Sequence, residues 1–270
     1  MNKLLQRVVT AVVLLAVLLL VFFKLPPPAA VGLIGAFISI AAWEWSGFLG
    51  TRAFAGRATY VLALMLGMAA SVWLIPAQVP LLPMLWLSLA WWGCAFVWLL
   101  YYPTRIRPEI GALCGFLVII PAWAAIVALL SLPERGAEYV LFVLVLVWAA
   151  DIGAYFVGRR FGRRKLAPQV SPGKTWEGFV GGLAASAGAA VAGAWWFGLP
   201  ALQLLAVGLT VGAISVVGDL TVSMFKRNAG LKDSGNLFPG HGGVLDRVDS
   251  VTAAVPLFAL EFIWLGWLGP

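Results

Sequence analysis

The chain has 270 residues, of which 62% are hydrophobic and 11% charged, and its mean hydropathy is +0.98. This composition excludes an ordinary soluble domain, which balances a polar surface against an apolar core, and predicts an integral membrane protein. The net charge of +7 is not taken as a sign of nucleic-acid binding, because no nucleic-acid-binding module is visible and the distribution of basic residues accounts for the excess. We therefore expect no nucleic-acid partner.

Long apolar stretches follow one another between polar or proline-rich breaks. A helix that crosses the hydrocarbon core of a bilayer needs about 20 mainly apolar residues. The sequence therefore predicts an all-α fold, a polytopic transmembrane helix bundle of about nine spans. The expected spans are residues 5–23, 29–50, 59–76, 80–102, 109–131, 138–158, 178–197, 200–222 and 251–268.

The basic residues indicate the orientation of these spans, because Lys and Arg accumulate in cytoplasmic loops. If the N-terminus is cytoplasmic and nine spans alternate, every one of the 18 basic residues except Lys24 and Arg135 lies on the cytoplasmic side. The first span also has features of a secretory signal peptide. Its apolar run is long for one, and "PPP" makes a poor cleavage site, so a retained span is favoured.

Polar residues divide the chain into two expected regions. Residues 1–140 predict N-terminal transmembrane spans with short loops, and residues 141–270 predict a C-terminal transmembrane region that holds the functional site on the cytoplasmic side. Glu44, in "AWEWSG", is the exception in the first region, where an interfacial anchor is favoured over a functional site. Small-residue spacings, Gly178 to Gly182 and Gly208 to Gly212, predict close packing of helices.

Asp151 and the basic residues after it form the first polar cluster. An ionised carboxylate at the end of "VLFVLVLVWAAD" is costly unless it is paired, bound to a metal or facing water, so a pairing role and a functional role both stay open. The basic run suits anionic lipid headgroups and a polyphosphate equally well. It comprises Arg159, Arg160, Arg163, Arg164 and Lys165.

The segment "SPGKT" contains a second set of polar groups. Ser171 as a cap with Pro172 in the first turn predicts a helix start, whose free N–H groups attract anions, and Lys174 adds a positive charge. A Walker P-loop is excluded, because Pro168 stands where that pattern needs glycine. A phosphate-contacting loop and a plain helix start both remain open.

Asp219, Ser223 and Lys226 share one helical face, since they are spaced at i, i+4 and i+7, and Arg227 lies beside them. A carboxylate followed by a hydroxyl and an amine suits a metal next to a phosphate. An intrahelical ion pair between the acidic and basic residues is the competing interpretation.

The segment "LFPGHGGVLDRVD" combines glycines with two carboxylates one helical turn apart, Asp246 and Asp249. Carboxylate oxygens so placed are ligands that Mg²⁺ prefers. The glycines permit backbone with positive φ and a close approach to a ligand. His241 lies in this glycine turn, where a structural role and a contact to phosphate both remain open.

The stretch from Ser223 to Ser250 resembles the signature of the bacterial-type phosphatidate cytidylyltransferases, the CDP-diacylglycerol synthases. That signature has the form S-x-x-K-R-x4-K-D-x5-P-G-H-G-G-x-x-D-R-x-D, and "ADIGAYFVGRRFG" and "SPGKTWEG" look like the family's upstream motifs in the right order. The residues that match the signature are Ser223, Lys226, Arg227, Lys232, Asp233, Pro239, Gly240, His241, Gly242, Gly243, Asp246, Arg247 and Asp249.

The resemblance implies transfer of CMP from CTP to phosphatidic acid with Mg²⁺, and a second cation as an option. The expected metal ligands are Asp219, Asp246 and Asp249, which together with Lys226 form the expected catalytic set. The expected substrate-binding residues are Ser171, Lys174, Ser223, Arg227, Lys232, Asp233, His241 and Arg247.

The same resemblance gives the expected location and partners. We expect a multi-pass protein of the plasma (inner) membrane, in contact with membrane lipids, whose active site faces the cytoplasm. A homodimer is one option for the oligomeric state.

Two other functions are weighed against this one. A secondary transporter for an anionic solute would use Asp151 and Asp219 as coupling carboxylates, but the polar clusters lie on one expected face and no internal repeat is visible. A CDP-alcohol phosphotransferase is disfavoured because its D-x-x-D-G-x-x-A-R pattern is absent from the sequence.

Overall fold

The computed structural model describes residues 3–51, 53–74, 81–238 and 242–267. Within these ranges the chain is mainly helical, with a short 3-10 turn after the second helix and one two-stranded sheet. The elements are α1 (Lys3–Lys24), α2 (Pro27–Ser46), the 3-10 turn (Gly47–Leu49), α3 (Phe54–Leu74), α4 (Leu81–Leu100), α5 (Pro108–Leu130), α6 (Gly136–Phe161), β1 (Lys165–Ala167), β2 (Ser171–Thr175), α7 (Trp176–Phe197), α8 (Ala201–Asn228) and α9 (Leu245–Trp264).

The all-α prediction is confirmed, and each of the nine predicted spans overlaps one of these helices. Seven helical stretches in the described ranges are long and apolar enough to cross a membrane. The count of nine crossings therefore stays a prediction. The seven stretches are Pro27–Leu49, Phe54–Val72, Leu81–Leu100, Pro108–Leu130, Gly136–Phe161, Trp176–Phe197 and Ala201–Asn228.

Local sequence signals fix several helix boundaries. α5 begins at Pro108, where the missing N–H of proline costs nothing because the first N–H groups of a helix have no intrahelical partner. α7 ends at Phe197 and is capped by Gly198, whose φ of 68° lies in the left-handed region that glycine adopts at little cost.

Large apolar side chains cover the outside of the bundle. Trp195, Leu202 and Trp264 are 88%, 79% and 83% exposed, respectively. Inside the bundle, aromatic side chains such as Trp92 and Phe258 are fully buried. An apolar exterior around an apolar core is expected when lipid rather than water is the solvent.

Small residues bring α6, α7 and α8 into close contact, as the glycine spacings predict. A Cβ built on Gly182 would lie 2.6 Å from the carbonyl oxygen of Ala150, and one on Gly208 would lie 3.0 Å from the carbonyl oxygen of Ser186. The Ser186 hydroxyl donates a hydrogen bond of 2.8 Å to the Gly208 carbonyl. These backbones are therefore in direct contact, which is how membrane helices associate without a hydrophobic driving force.

The prediction that Ser171 caps a helix is wrong. Residues Ser171–Thr175 form β2, which pairs antiparallel with β1 so that Lys165 lies opposite Thr175 and Ala167 opposite Ser171. α7 begins at Trp176, and its cap is Thr175, whose hydroxyl oxygen accepts the Gly178 N–H at 3.1 Å. Pairing with the nearby β1 segment outweighs the local helix-start signal of Ser-Pro.

Candidate active site

The C-terminal end of α8 carries Asp219, Ser223 and Lys226 on one face. The Ser223 hydroxyl donates to Asp219 Oδ1 at 3.1 Å, one helical turn away. The Lys226 ammonium group instead contacts α9, where its Nζ lies 2.7 Å from Asp246 Oδ1 and 4.0 Å from Asp249 Oδ2. In the described residues these charges bind partners on other elements, so the alternative of an intrahelical ion pair is wrong.

The Lys226–Asp246 pair is buried, with side chains that are 8% and 6% exposed. A buried ion pair is tolerated only when its remaining oxygens and protons also have partners. Asp246 meets this condition, because its Oδ2 accepts the backbone N–H groups of Ser234 at 2.9 Å and Gly243 at 3.0 Å. The pair therefore joins α8, the loop before α9 and the first turn of α9.

The electrostatics of Asp246 follow from these contacts. Burial disfavours its ionised form, but the hydrogen bonds from Lys226 and the backbone outweigh burial and hold the pKa of Asp246 below its usual value. Asp246 lies outside the seven candidate spans. The turn that delivers the Gly243 N–H includes Gly242, whose φ of 79° favours glycine.

A second Lys–Asp pair connects the hairpin to α8. Lys174 Nζ in β2 lies 2.7 Å from Asp219 Oδ2, and the two side chains are 25% and 27% exposed. The hairpin thus places its lysine beside the same carboxylate that Ser223 contacts. Lys174 and Lys226, two of the three lysines in the predicted set, thus converge on the junction of β2, α8 and α9.

Asp249 completes this junction from the second turn of α9. Asp249 is 8% exposed, and its Oδ1 accepts a hydrogen bond from the N–H of Ser250 at 2.8 Å. Burial and then the charge of Asp219 raise the pKa of Asp249 well above its usual value. α8 and α9 approach closely here, since a Cβ built on Gly218 would lie 2.7 Å from the Asp249 carbonyl oxygen.

Asp151 reaches the same region from α6. Its carboxylate lies within electrostatic range of Asp219, Lys174 and Arg247. The residue is exposed. It therefore stands at the edge of the charged junction rather than among the buried pairs.

Glu44 approaches the junction from the N-terminal half of the chain. It is 6% exposed and accepts three hydrogen bonds: from the Ser234 hydroxyl at 2.7 Å, the Val244 N–H at 3.0 Å and the Leu245 N–H at 2.8 Å. The favoured interpretation of Glu44 as an interfacial anchor misses this role. The loop before α9 is held from both sides by carboxylates, Glu44 and Asp246.

The remaining predicted residues lie around this centre. The Arg227 guanidinium donates to the carbonyl oxygens of Val170 at 3.3 Å and Leu231 at 3.1 Å, and so ties the hairpin to the loop after α8. Ser171 lies at the start of β2, three residues before Lys174. Lys232, Asp233 and Arg247 are exposed, and His241 lies outside the described residues.

Comparisons with known proteins bear directly on this arrangement. A sequence model of the cytidylyltransferase family matches residues 5–264. The chain belongs to this cytidylyltransferase family. It is 46% identical to a phosphatidate cytidylyltransferase of Pseudomonas aeruginosa over 99% of this chain and 100% of that protein. It is 37% identical to a phosphatidate cytidylyltransferase of Haemophilus influenzae over 97% and 99% of the two chains.

A shorter match shows a more restricted likeness. The chain is 46% identical to a phosphatidate cytidylyltransferase of Synechocystis over 45% of this chain and 42% of that protein. The two full-length matches and the family model thus establish the resemblance inferred from the signature motif.

In this candidate site, Asp219 and Asp249 form a donor set that would fit a hard cation. These carboxylates come from adjoining helices and are close enough for the charge of one to raise the pKa of the other, a repulsion that a cation would relieve. The described residues contain no group of three or more His, Cys, Asp or Glu side chains that could hold a metal ion. Mg²⁺ does not require one, because it usually binds one or two carboxylates and completes its shell with water and phosphate.

Asp246 fits a metal less directly than the other two carboxylates. Its Oδ1 accepts a hydrogen bond from Lys226, and its Oδ2 accepts two from the backbone. A cation at Asp246 would have to share these oxygens. The predicted metal role of Asp246 stays a proposal, and the contacts of Asp246 show a role in fixing the loop before α9.

Proposed function

We propose that the chain transfers CMP from CTP to phosphatidate, giving CDP-diacylglycerol and pyrophosphate, and so acts as a nucleotidyltransferase of phospholipid synthesis. The observation that carries this function is the convergence of Lys174, Lys226, Asp219 and Asp249 where β2, α8 and α9 meet. The relatives that match over nearly their full length support it, since both are named phosphatidate cytidylyltransferase.

The reaction joins two anions, so its main requirement is neutralisation of charge and alignment of phosphates. An ionised oxygen of the phosphatidate phosphate attacks the α-phosphorus of CTP. A new P–O bond forms while the bond from the α-phosphorus to the α–β bridging oxygen breaks, and pyrophosphate leaves with the bonding electron pair. The attacking oxygen is already ionised near neutral pH, so no general base is needed.

Lys174 is the residue that we assign to the phosphates of CTP. Its contact with Asp219 is about a quarter exposed on each side, so a phosphate oxygen can reach the ammonium group without unfolding the hairpin. Ser171, in the same strand, is placed as a second contact to the nucleotide or pyrophosphate. The exposed Lys232 and Arg247 supply further positive charge for the phosphates.

Asp219 and Asp249 are the residues that we propose hold Mg²⁺, with Asp246 as a third candidate and a second cation as an option. The ion would supply positive charge to the phosphate oxygens as charge develops on them. Around it, the Ser223 hydroxyl orients Asp219 through a 3.1 Å hydrogen bond, and Lys226 balances the charges of Asp246 and Asp249.

The orientation that we propose has nine spans, a cytoplasmic N-terminus and the active site on the cytoplasmic side of the inner membrane. The distribution of Lys and Arg supports this topology. It also suits the chemistry, because CTP is soluble and phosphatidate lies in the membrane surface. The division into residues 1–140 and 141–270 stays a proposal. A homodimer is also proposed as an option, and light scattering in detergent would test it.

Pyrophosphate release by the purified full chain in detergent tests this function. CTP, phosphatidic acid and Mg²⁺ are supplied together and then each is omitted in turn. We expect release only when all three are present. Folded protein that releases no pyrophosphate across pH and detergents would contradict the function, and uptake by reconstituted vesicles would then test the transporter alternative.

A further inference from the structure

Glu44 is a buried carboxylate of α2 whose three hydrogen-bond partners lie about 200 positions later in the chain. It accepts from the Ser234 hydroxyl and from the backbone N–H groups of Val244 and Leu245. Val244 and Leu245 are the residues at which α9 begins. The carboxylate therefore satisfies N–H groups that have no intrahelical partner and is favourably placed at the positive end of the helix.

The loop around Glu44 is shaped to receive it. A Cβ built on Gly235 or on Gly243 would overlap the carboxylate of Glu44. Glycine at both positions lets the backbone close around the charged group. A lipid-facing or interfacial anchor would not need such an enclosure, since its carboxylate would be turned toward water.

The contacts of Glu44 alternate with those of Asp246 along the same loop. Ser234 donates its hydroxyl to Glu44 and its backbone N–H to Asp246. Gly243 donates its N–H to Asp246, and the next residue, Val244, donates to Glu44. Moving one carboxylate therefore displaces the groups that the other one holds.

We propose that Glu44 is a positioning residue for the cation and phosphate site. By fixing the loop and the first turn of α9, it sets where Asp246 and Asp249 stand relative to Lys226 and Asp219. The inference rests on the proposed function, since it concerns the same site. It assigns a role in that site to α2, in the region expected to hold only membrane spans.

Glu44→Gln is the sharpest substitution for this role, because it preserves shape and removes one acceptor. Glu44 Oε1 accepts from Val244, and Oε2 accepts from Leu245 and Ser234. In either orientation, the amide of Gln would direct an NH₂ group at one of the two backbone N–H donors. One donor is then left without an acceptor and the first turn of α9 shifts.

The test compares the full-length wild type with Glu44→Gln and Glu44→Asp in detergent. It measures the rise in melting temperature that Mg²⁺ alone produces, and pyrophosphate release as a function of Mg²⁺ concentration, with kcat and the KM for CTP at saturating Mg²⁺. Loss of an outer group that orients metal ligands typically weakens metal affinity by about 10-fold to 100-fold. We expect Glu44→Gln to raise the half-maximal Mg²⁺ concentration by about tenfold or more, and Glu44→Asp, which keeps both oxygens, to recover part of the shift.

Glu109→Gln is the matched control, because Glu109 is exposed and forms an ion pair of 3.4 Å with the exposed Arg107, away from the site. It should leave the Mg²⁺ dependence unchanged. A folded Glu44→Gln enzyme with wild-type Mg²⁺ dependence and kcat would overturn the role of Glu44.

If Glu44→Gln does not fold, Ser234→Ala decides the question, because it removes a single contact of Glu44. A raised Mg²⁺ requirement supports the role of Glu44, and an unchanged requirement overturns it. A wild type that releases no pyrophosphate refutes the proposed function itself. An active wild type with an unaffected Glu44→Gln variant refutes only the role of Glu44.

Discussion

The site contains two Lys–Asp pairs with the same Nζ–Oδ distance, 2.7 Å, in two different environments. Lys226 and Asp246 are 8% and 6% exposed, and the second oxygen of Asp246 binds two backbone N–H groups. Lys174 and Asp219 are 25% and 27% exposed, and Ser223 supplies the other contact to the carboxylate. One pair is enclosed and connects three segments, and the other is partly exposed.

This difference indicates a division of roles between the two lysines. A buried pair is costly to break, because removing one partner leaves an uncompensated charge. A partly exposed pair contributes little stability and can exchange partners with a ligand. We therefore assign Lys226 to the framework of the site and Lys174 to the substrate phosphates, although both stand next to the same carboxylate cluster.

Lys226→Ala, in the buried pair, is expected to have the largest effect. It leaves Asp246 buried without its cation, so we expect a loss of about 3–5 kcal/mol in the free energy of unfolding, together with loss of activity. Thermal unfolding in detergent measures the first effect. Lys232→Ala, at an exposed lysine six residues later, is the control for stability. Equal free energies of unfolding for Lys226→Ala and Lys232→Ala would refute the framework role of Lys226.

The next largest effect is expected from Asp249→Asn, and it concerns activity rather than stability. The change removes a proposed cation ligand and also relieves repulsion with Asp219. We expect turnover to fall by about 100-fold or more with the melting temperature kept or raised, since losing one electrostatic contact to the transition state costs about that much. Glu109→Gln is the control. Turnover of Asp249→Asn near the rate of this control would refute the role of Asp249 as a cation ligand.

Lys174→Ala tests the role of the partly exposed pair. We expect a rise of about tenfold in the KM for CTP, equivalent to ~1.4 kcal/mol. The free energy of unfolding should change by less than about 1 kcal/mol, because the pair is partly exposed. Initial rates over a range of CTP concentrations measure the first quantity. Lys165→Ala on the paired strand is the control, and a large loss of stability with unchanged KM would reverse the assignment of the two lysines.

The smallest effect is expected for Arg160→Ala. Arg160 lies in the exposed basic run at the end of α6. If that run binds lipid headgroups rather than CTP, the KM for CTP should stay within about twofold of the wild type, as expected for an exposed charge outside the site. A rise in KM as large as that of Lys174→Ala would extend the nucleotide site onto α6.

Much of the fold could be predicted from the sequence because its signals are local. Apolar stretches located each helix, and the i, i+4 spacing of Asp219 and Ser223 correctly placed a hydroxyl against a carboxylate. The partners of Lys226 were not predictable in the same way. Helical spacing shows that it shares a face with Asp219, but only the packing of α8 on α9 brings it to Asp246.

Two other features show the same limit. The Ser171 segment carried a helix-start signal, which the pairing of β1 with β2 overrides. Glu44 carried a valid signal, a charge within an apolar helix, but its partners are 190 to 201 positions away. Periodicity and spacing carry no information on contacts of that range, so the sequence alone favours a place for Glu44 at the membrane interface.

The most direct measurement follows the two ends of CTP separately. Purified full-length protein in detergent receives phosphatidic acid, Mg²⁺ and CTP labelled either at the α-phosphorus or at the γ-phosphorus. We expect the α-label to move into the lipid fraction as CDP-diacylglycerol and the γ-label to appear in equal amount as pyrophosphate in the aqueous fraction. Asp249→Asn should reduce both together. Folded protein that leaves the α-label in the aqueous fraction would refute transfer of CMP to phosphatidate.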